Sequence, residues 1–456
     1  MDTVLLVIDA IAREAMLFAA IGFLIGGIDD LAVDLAYLWC RICNWFRPEP
    51  PRALDKPAGR IAIFIAAWDE SAVIGQMLRA TLARYDYPDY RLYVGVYPND
   101  TATIAIVEAV AAIDARVRPV IGLNPGPTTK ADCLNSLWRT LLDDESREGE
   151  AHAVVLHDAE DLVHPDELRV FAAYLTDHAA VQVPVLPLPD PRSPLISGHY
   201  LDEFATAHTV HLAVRETLRA GIPFAGVGCA IDRKMLARIA DARGGDPFDD
   251  TSLTEDYELG LTVAALGGRT KLARVRDGDG ELVAVRAYFP AALSAAVRQK
   301  ARWMTGIALA GWDRVGWGRA GAIGDHWMRM RDRRATLAIP VLAIAYLALV
   351  AWGLSLAGHG VTATAMPLPE GAMRWLLGIN AVLLGWRVLC RALCTGRAHG
   401  WRQAALSVPR IFVANLVALL AARRALKIYW PTLDGKRPHW EKTAHHFPDQ
   451  NEGTAG

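Results

Sequence analysis

Residues 335–360 contain no Lys, Arg, Asp or Glu, and a helix over them is long enough to cross the hydrocarbon core of a bilayer, which takes about 20 residues. Arg329, Arg331, Arg333 and Arg334 precede this stretch, and the next Lys or Arg is Arg374. Basic residues favour the cytoplasmic side, so the span is expected to run from the inside outwards. A second span, residues 372–394, is expected to return to Arg391, Arg397 and Arg402, with Arg387 snorkelling to the interface. Residues 411–422 are apolar but shorter, with Arg410 before them and Arg423, Arg424 and Lys427 after them. Basic residues at both ends predict an interfacial or re-entrant helix.

The N-terminus has a similar character. Residues 3–28 are mostly apolar but carry Asp9, Arg13 and Glu14, with no basic segment and cleavage site before them. They read as an anchor and not as a cleaved signal. After Asp29 and Asp30, residues 31–46 place Leu31, Leu35, Leu38, Trp39, Ile42 and Trp45 near one helical face, as expected of a helix lying at the membrane surface. A basic linker with Pro48, Pro50, Pro51 and Pro57 follows.

From Arg60 the hydrophobic pattern changes. Apolar runs at residues 61–67, 91–97, 117–121 and 153–156 alternate with helical stretches at 71–85 and 103–112. This rhythm predicts a Rossmann-like α/β domain with a largely parallel sheet. The last of these runs ends in His157-Asp158-Ala159-Glu160-Asp161, which puts acids where a buried strand opens into a loop, the usual ligand position in open α/β sheets. Four units are expected: 1–59, an anchor with its interfacial helix and linker; 60–330, the α/β domain; 331–430, membrane and interfacial helices; and 431–456, a polar tail.

Composition excludes some classes. A formal net charge of −2 gives no general attraction for nucleic acid. Cys40 and Cys43 form C-x-x-C, and Cys390 and Cys394 lie four apart, but both pairs sit in apolar helical stretches with no second ligand pair, so they read as packing thiols. Cys133 and Cys229 are isolated, as suits a reducing compartment.

Four acidic segments fall at expected strand ends or loops: Asp69-Glu70, Asp100, Asp158 to Asp161, and Thr254-Glu255-Asp256. Singly, each reads as a solvated loop or a helix cap. Together with Gln299-Lys300-Ala301-Arg302-Trp303 they stand in the order found in processive family 2 glycosyltransferases, which this chain resembles over roughly residues 60–318. Gly27 to Leu31 and Trp440 to His445 resemble the membrane glycosyltransferases called bacteriophage adsorption protein B.

The resemblance implies a GT-A fold and a nucleotide-sugar donor. It implies Mg2+ or Mn2+ held by Asp158 with Glu160 or Asp161, because the family's D-x-D stands here as Asp-Ala-Glu-Asp. A divalent ion with oxygen ligands neutralises a leaving diphosphate. Asp69 or Glu70, and Asp100, are then expected on the nucleoside, Lys130 on the nucleotide, and Asp256 as base beside Glu255. Gln299, Arg302 and Trp303 are expected to serve the acceptor, with Arg302 also forking the pyrophosphate. Gly228, in the Gly226-Val227-Gly228-Cys229 turn, is expected in the acceptor pocket. Trp312 and Trp317 read as interfacial anchors, and the tail's Trp440, Lys442 and Thr443 as a W-x-K-T element.

These expectations describe an inverting transferase at a bacterial inner membrane, multi-pass, with its catalytic domain cytoplasmic. The acceptor would be a polysaccharide or a lipid-linked glycan, as in exopolysaccharide synthesis, with an export partner in the periplasm or outer membrane. Regulation by a following cytoplasmic domain, present in some relatives, is expected to be absent or supplied by a partner. The rival class is a membrane scaffold in phage adsorption that keeps the fold without catalysis, but such a chain should lose the acidic loop, Glu255-Asp256 or Arg302. A nucleotidyltransferase would want a Gly-rich basic signature near residues 61–70, and none is there.

Overall fold

The computed structural model describes residues 2–46, 52–54, 58–433 and 447. Most of the Pro-rich linker, the W-x-K-T element (Trp440, Lys442 and Thr443), His445 and His446 lie outside the described residues.

The α/β unit is built on nine strands: β1 (Ile61–Ala66), β2 (Tyr90–Val96), β3 (Val117–Ile121), β4 (Ala153–His157), β5 (Ala180–Gln182), β6 (Val185–Pro187), β7 (Cys229–Asp232), β8 (Thr270–Leu272) and β9 (Val285–Ala287). Seven form one sheet in the order β3-β2-β1-β4-β7-β5-β8, in which β7 alone runs against its neighbours. Strands β6 and β9 pair in parallel beside it. The central strands read Ile-Ala-Ile-Phe-Ile-Ala and Ala-Val-Val-Leu-His and are buried on both faces, as strands covered by helices must be. Order reverses between β1 and β4, whose register places Ile65 beside His157. Adjacent loops there turn to opposite sides and leave a crevice at the strand ends. The loops at residues 67–70 and 158–161 open into it.

At the membrane end, three helices are long and apolar enough to cross a bilayer: Ala335–Thr362, Gly371–His399 and Trp401–Leu433. Three sequence expectations change here. The anchor and the surface helix are one helix, Asp2–Phe46, unbroken at Asp29 and Asp30. Those acids do not stop it because Arg331 and Arg334 neutralise them, with Asp30 2.7 Å from Arg334. Arg387 does not snorkel but pairs at 3.4 Å with both Asp30 and Asp34. Residues 411–422 are the middle of a 33-residue helix, far longer than their own apolar length.

Close packing fits these helices together. A β-carbon on Gly22 would meet Val341 at 2.6 Å, and one on Gly27 would meet Leu383 at 2.9 Å. Small residues at such crossings are how helices approach in lipid. Trp312 and Trp317, expected as interfacial anchors, also hold a buried cation. Their rings bracket the buried Arg333 guanidinium at 4.9 and 4.7 Å, a cation–π clamp between two short helices.

The α/β unit is fastened to the C-terminal helices through Asp202, on helix Gly198–Thr206. Its carboxylate, fully buried, accepts from Arg391 at 3.0 Å, Thr395 at 3.1 Å and Arg410 at 3.2 Å. Replacing Asp202 by Ala leaves the buried Arg410 without a carboxylate to balance its charge, a change that costs about 3–5 kcal/mol. A fall in thermal unfolding temperature of detergent-solubilised protein, with little change for Glu14→Gln in the exposed Arg13–Glu14 pair, is the expected result.

Candidate active site

The crevice at the β1/β4 switch deepens into a cavity lined by carboxylates, cations and aromatic rings from distant segments. The loop after β4 brings Asp158, Glu160 and Asp161 to it. The three acids differ in commitment. Asp161 turns back: one carboxylate oxygen accepts from His157 Nδ1 at 2.8 Å and from the Asp158 backbone N–H at 3.0 Å. Burial lifts its pKa to about 7 even with His157 beside it. Asp161 therefore braces the loop, and Asp158 and Glu160 are the acids it presents.

His157 is the hidden support. Its side chain is fully buried, with Nε2 3.2 Å from Glu167 and 3.1 Å from the Tyr85 hydroxyl. Burial opposes its charge, but Glu167 and Asp161 overcome that and raise its pKa to about 10. A cation buried between two acids fixes the end of β4 and hence the loop after it.

Lys130 starts helix Lys130–Glu148, which Thr129 caps by accepting from the Asp132 N–H. Its ammonium donates to Asp158 Oδ1 at 2.5 Å and to the Gly226 carbonyl at 3.4 Å. Burial would lower the lysine pKa, yet Asp158, Glu255 and Asp256 reverse the shift and hold it above the usual lysine value.

Helix Glu255–Ala265 opens on Glu255 and Asp256. Burial is the main cause that raises both carboxyls above their ordinary range; Asp256 adds to the rise of Glu255, and Lys130 and Arg302 act against it. Thr254 occupies the N-cap position but makes no capping bond. The role read from sequence is not the one it plays: its hydroxyl packs where a β-carbon on Gly306 would collide with it.

Of the two glycines in the turn before β7, Gly226 is the one at the cavity. It has φ +79°, and a β-carbon there would lie 2.6 Å from Asp256 Oδ2 and 3.5 Å from Lys130 Nζ. Gly228, expected in the pocket, instead lets the strands pack, since its β-carbon would meet Val285 at 2.7 Å and Val183 at 3.0 Å. Both have positive φ, so local sequence does not separate them.

Glu70, one of the residues expected on the nucleoside, lines the cavity. Asp69 has φ 52° and donates its backbone N–H to Asp100 at 2.5 Å, while Asp100 also caps helix Thr101–Ala111 through the Thr103 N–H. Asp69 and Asp100 thus tie the two loops together beside the cavity without lining it. Gln299, Arg302 and Trp303 line the opposite wall, on helix Leu293–Trp303. No short motif marks Phe204 and Phe289, which complete an aromatic wall there: their rings are 4.8 Å apart, and Trp303 is 6.2 Å from Phe204. Behind it, Lys300 pairs with Glu203 and stands over the Trp303 ring at 4.8 Å.

A separate group, His164, Asp277 and Glu281, brings three possible ligand atoms within 4.8 Å of one another. His164 Nδ1 accepts from the Asp166 N–H, so Nε2 carries the proton and donates to Asp277 at 3.2 Å. With its free lone pair spent, this histidine reads as a clasp on the acidic loop rather than a cation ligand.

Residues 57–306 match the family model described as glycosyltransferase like family 2. The chain is 34% identical over 95% of its length to bacteriophage adsorption protein B of Escherichia coli (strain K12), and to the same extent to bacteriophage N4 adsorption protein B of Escherichia coli O157:H7. It spans 62% of the length of these relatives. A solved mannosyltransferase from Pyrobaculum calidifontis, in complex with GDP-Man and Mn2+, shares the fold with a TM-score of 0.55 at 17% identity, covering 92% of this chain and 99% of that one.

His157→Leu leaves Asp161 and Glu167 buried without their cation, at a cost of about 3–5 kcal/mol. The stabilisation from a raised histidine pKa is complete below the unfolded value, about 6.5, and is lost as pH rises through about 10. The gap in melting temperature between parent and variant is therefore expected to be wide at neutral pH and to narrow in that window.

Proposed function

This chain belongs to glycosyltransferase-like family 2, and we propose that it is an inverting transferase that moves a sugar from a nucleotide donor, a UDP-sugar foremost, to a polysaccharide or lipid-linked acceptor at a membrane. The observation that carries this reading is convergence. Glu70, Lys130, the 158–161 loop, Glu255-Asp256 and the trio Gln299, Arg302 and Trp303 are far apart in sequence, yet all line one cavity at the switch point of the sheet.

Asp158 and Glu160 would hold a divalent cation, Mg2+ or Mn2+. Their fit is supported by the donor set, hard carboxylate oxygens, and by the ammonium of Lys130 standing on Asp158 as a cation already does. Such an ion supplies Lewis-acid neutralisation of the leaving diphosphate. The protein's own groups do the rest. Lys130 and Arg302 offer positive charge to the phosphates, and Arg302 has the geometry for a bidentate grip. Asp256, its carboxyl raised and its Oδ2 open towards Gly226, takes the proton of the acceptor hydroxyl as that oxygen attacks the anomeric carbon. One displacement with one base inverts the anomeric centre. Phe204, Phe289 and Trp303 present flat apolar faces suited to sugar rings.

The wall bearing Trp303 and Phe204 is the one packed against the C-terminal helices. Val417 of helix Trp401–Leu433 clusters with Tyr200 and Ala296, and its Ala421 and Ala425 with Ala301. An acceptor emerging beside the membrane would reach this wall first. With arginines before Ala335–Thr362 and at the end of Gly371–His399, we place the catalytic unit on the cytoplasmic face of the inner membrane. Export of a polymeric product would need a periplasmic or outer-membrane partner.

The relatives' names support a second reading, a phage-adsorption component without catalysis. Purified protein with Mg2+ or Mn2+ and a panel of UDP- and GDP-sugars separates the two. Transfer or donor hydrolysis that Asp256→Asn lowers by roughly 100- to 10,000-fold, with nucleotide binding kept, supports the enzyme. Because the Asp256 carboxyl is raised, the acidic limb of the rate profile should fall away above the ordinary carboxylate range. No turnover with any donor, and identical behaviour of parent and variant, would leave the scaffold standing.

A further inference from the structure

The acidic cavity already holds a cation of its own. The Lys130 ammonium donates to Asp158 at 2.5 Å, and Gly226, which separates it from Asp256, is the residue whose β-carbon would meet both Lys130 Nζ and Asp256 Oδ2. The lysine side chain is largely buried, as are Glu255 and Glu160 around it. Like charges gathered in a site of low polarity cannot all stay ionised without a counter-ion. The Lys130 backbone is fixed at the first turn of a capped helix, while its flexible four-carbon stem lets the ammonium swing from one anion to another.

We infer that Lys130 is a tethered occupant of the cation position: it neutralises Asp158 while the donor is absent, and must leave Asp158 for a divalent ion to seat there. This rests on the reading of Asp158 as a cation ligand. The donor's diphosphate is the group that would receive the displaced ammonium, which makes cation and donor arrive together. A divalent ion alone meets a carboxylate whose charge is already spent on Lys130; an ion accompanied by diphosphate gives the lysine a new anionic partner. The consequence is a transferase that does not bind its metal tightly between turnovers.

Mn2+ binding measures this without turnover. The full chain in detergent is titrated with Mn2+ alone, free ion being read by electron paramagnetic resonance, for the parent, Lys130→Gln, Lys130→Arg and Asp158→Asn. Lys130→Gln removes the competing charge and is expected to bind Mn2+ about 10-fold more tightly than the parent, the size of an ordinary coupling between two ligands. Lys130→Arg keeps the charge and stays weak. The glutamine variant should also unfold at a lower temperature than the parent without Mn2+, and recover on its addition. Lys130→Gln binding no more tightly than the parent, or Lys130→Arg binding as tightly as Lys130→Gln, overturns the inference if Asp158→Asn still abolishes Mn2+ binding. Unchanged Mn2+ binding by Asp158→Asn overturns the metal reading beneath it.

Discussion

Negative charges brought together in a confined space repel one another, and the site is arranged around that repulsion. Asp158, Glu160, Asp161, Glu255 and Asp256 share one cavity. Buried or partly buried cations counter that repulsion. His157 is buried beneath Asp161, Lys130 stands on Asp158, and Lys130 with Arg302 acts on Glu255 and Asp256. The cations come from β4, from the first turn of helix Lys130–Glu148 and from helix Leu293–Trp303. The sheet order brings these elements side by side. Strand register places His157 next to Ile65 at the end of β1.

Much of this was legible in the sequence because it is local. Apolar runs ending in acids announced β1 and β4 to within a residue or two, and Gln299 to Trp303 announced their helix. Contacts between distant segments were not legible. Asp29 and Asp30 read as a break because nothing nearby balances them, while their partners Arg331 and Arg334 stand some 300 residues later. Arg387 read as a snorkelling arginine for the same reason. Gly226 and Gly228 stand in one turn with the same sign of φ, and only their neighbours in space, Asp256 for one and Val183 with Val285 for the other, tell them apart. Phe204 and Phe289 belong to no motif, so the aromatic wall could not be read from the sequence.

Two sets of ion pairs hold the helices in place, one to the α/β unit and one to each other, and their placement differs. Asp202 meets Arg410 in full burial, with Arg391 half-buried beside them, where desolvation makes a pair costly to assemble and worse to break. Asp29, Asp30 and Asp34 meet Arg331, Arg334 and Arg387 in a network that also takes the indole N–H groups of Trp327 and Trp386. Pairs that satisfy one another in this way fix the rotation of one helix against the next, which apolar packing alone leaves loosely specified.

Gly226 has a consequence for how such a chain can diversify. Its left-handed backbone and the oxygen 2.6 Å from its missing β-carbon leave room for hydrogen alone. Ala225 and Val227, on either side, line the same cavity in ordinary conformations. Inheritance can therefore alter the shape of the pocket at the flanking positions while the middle one stays barred, so variation in what is accommodated must bracket Gly226 and never pass through it.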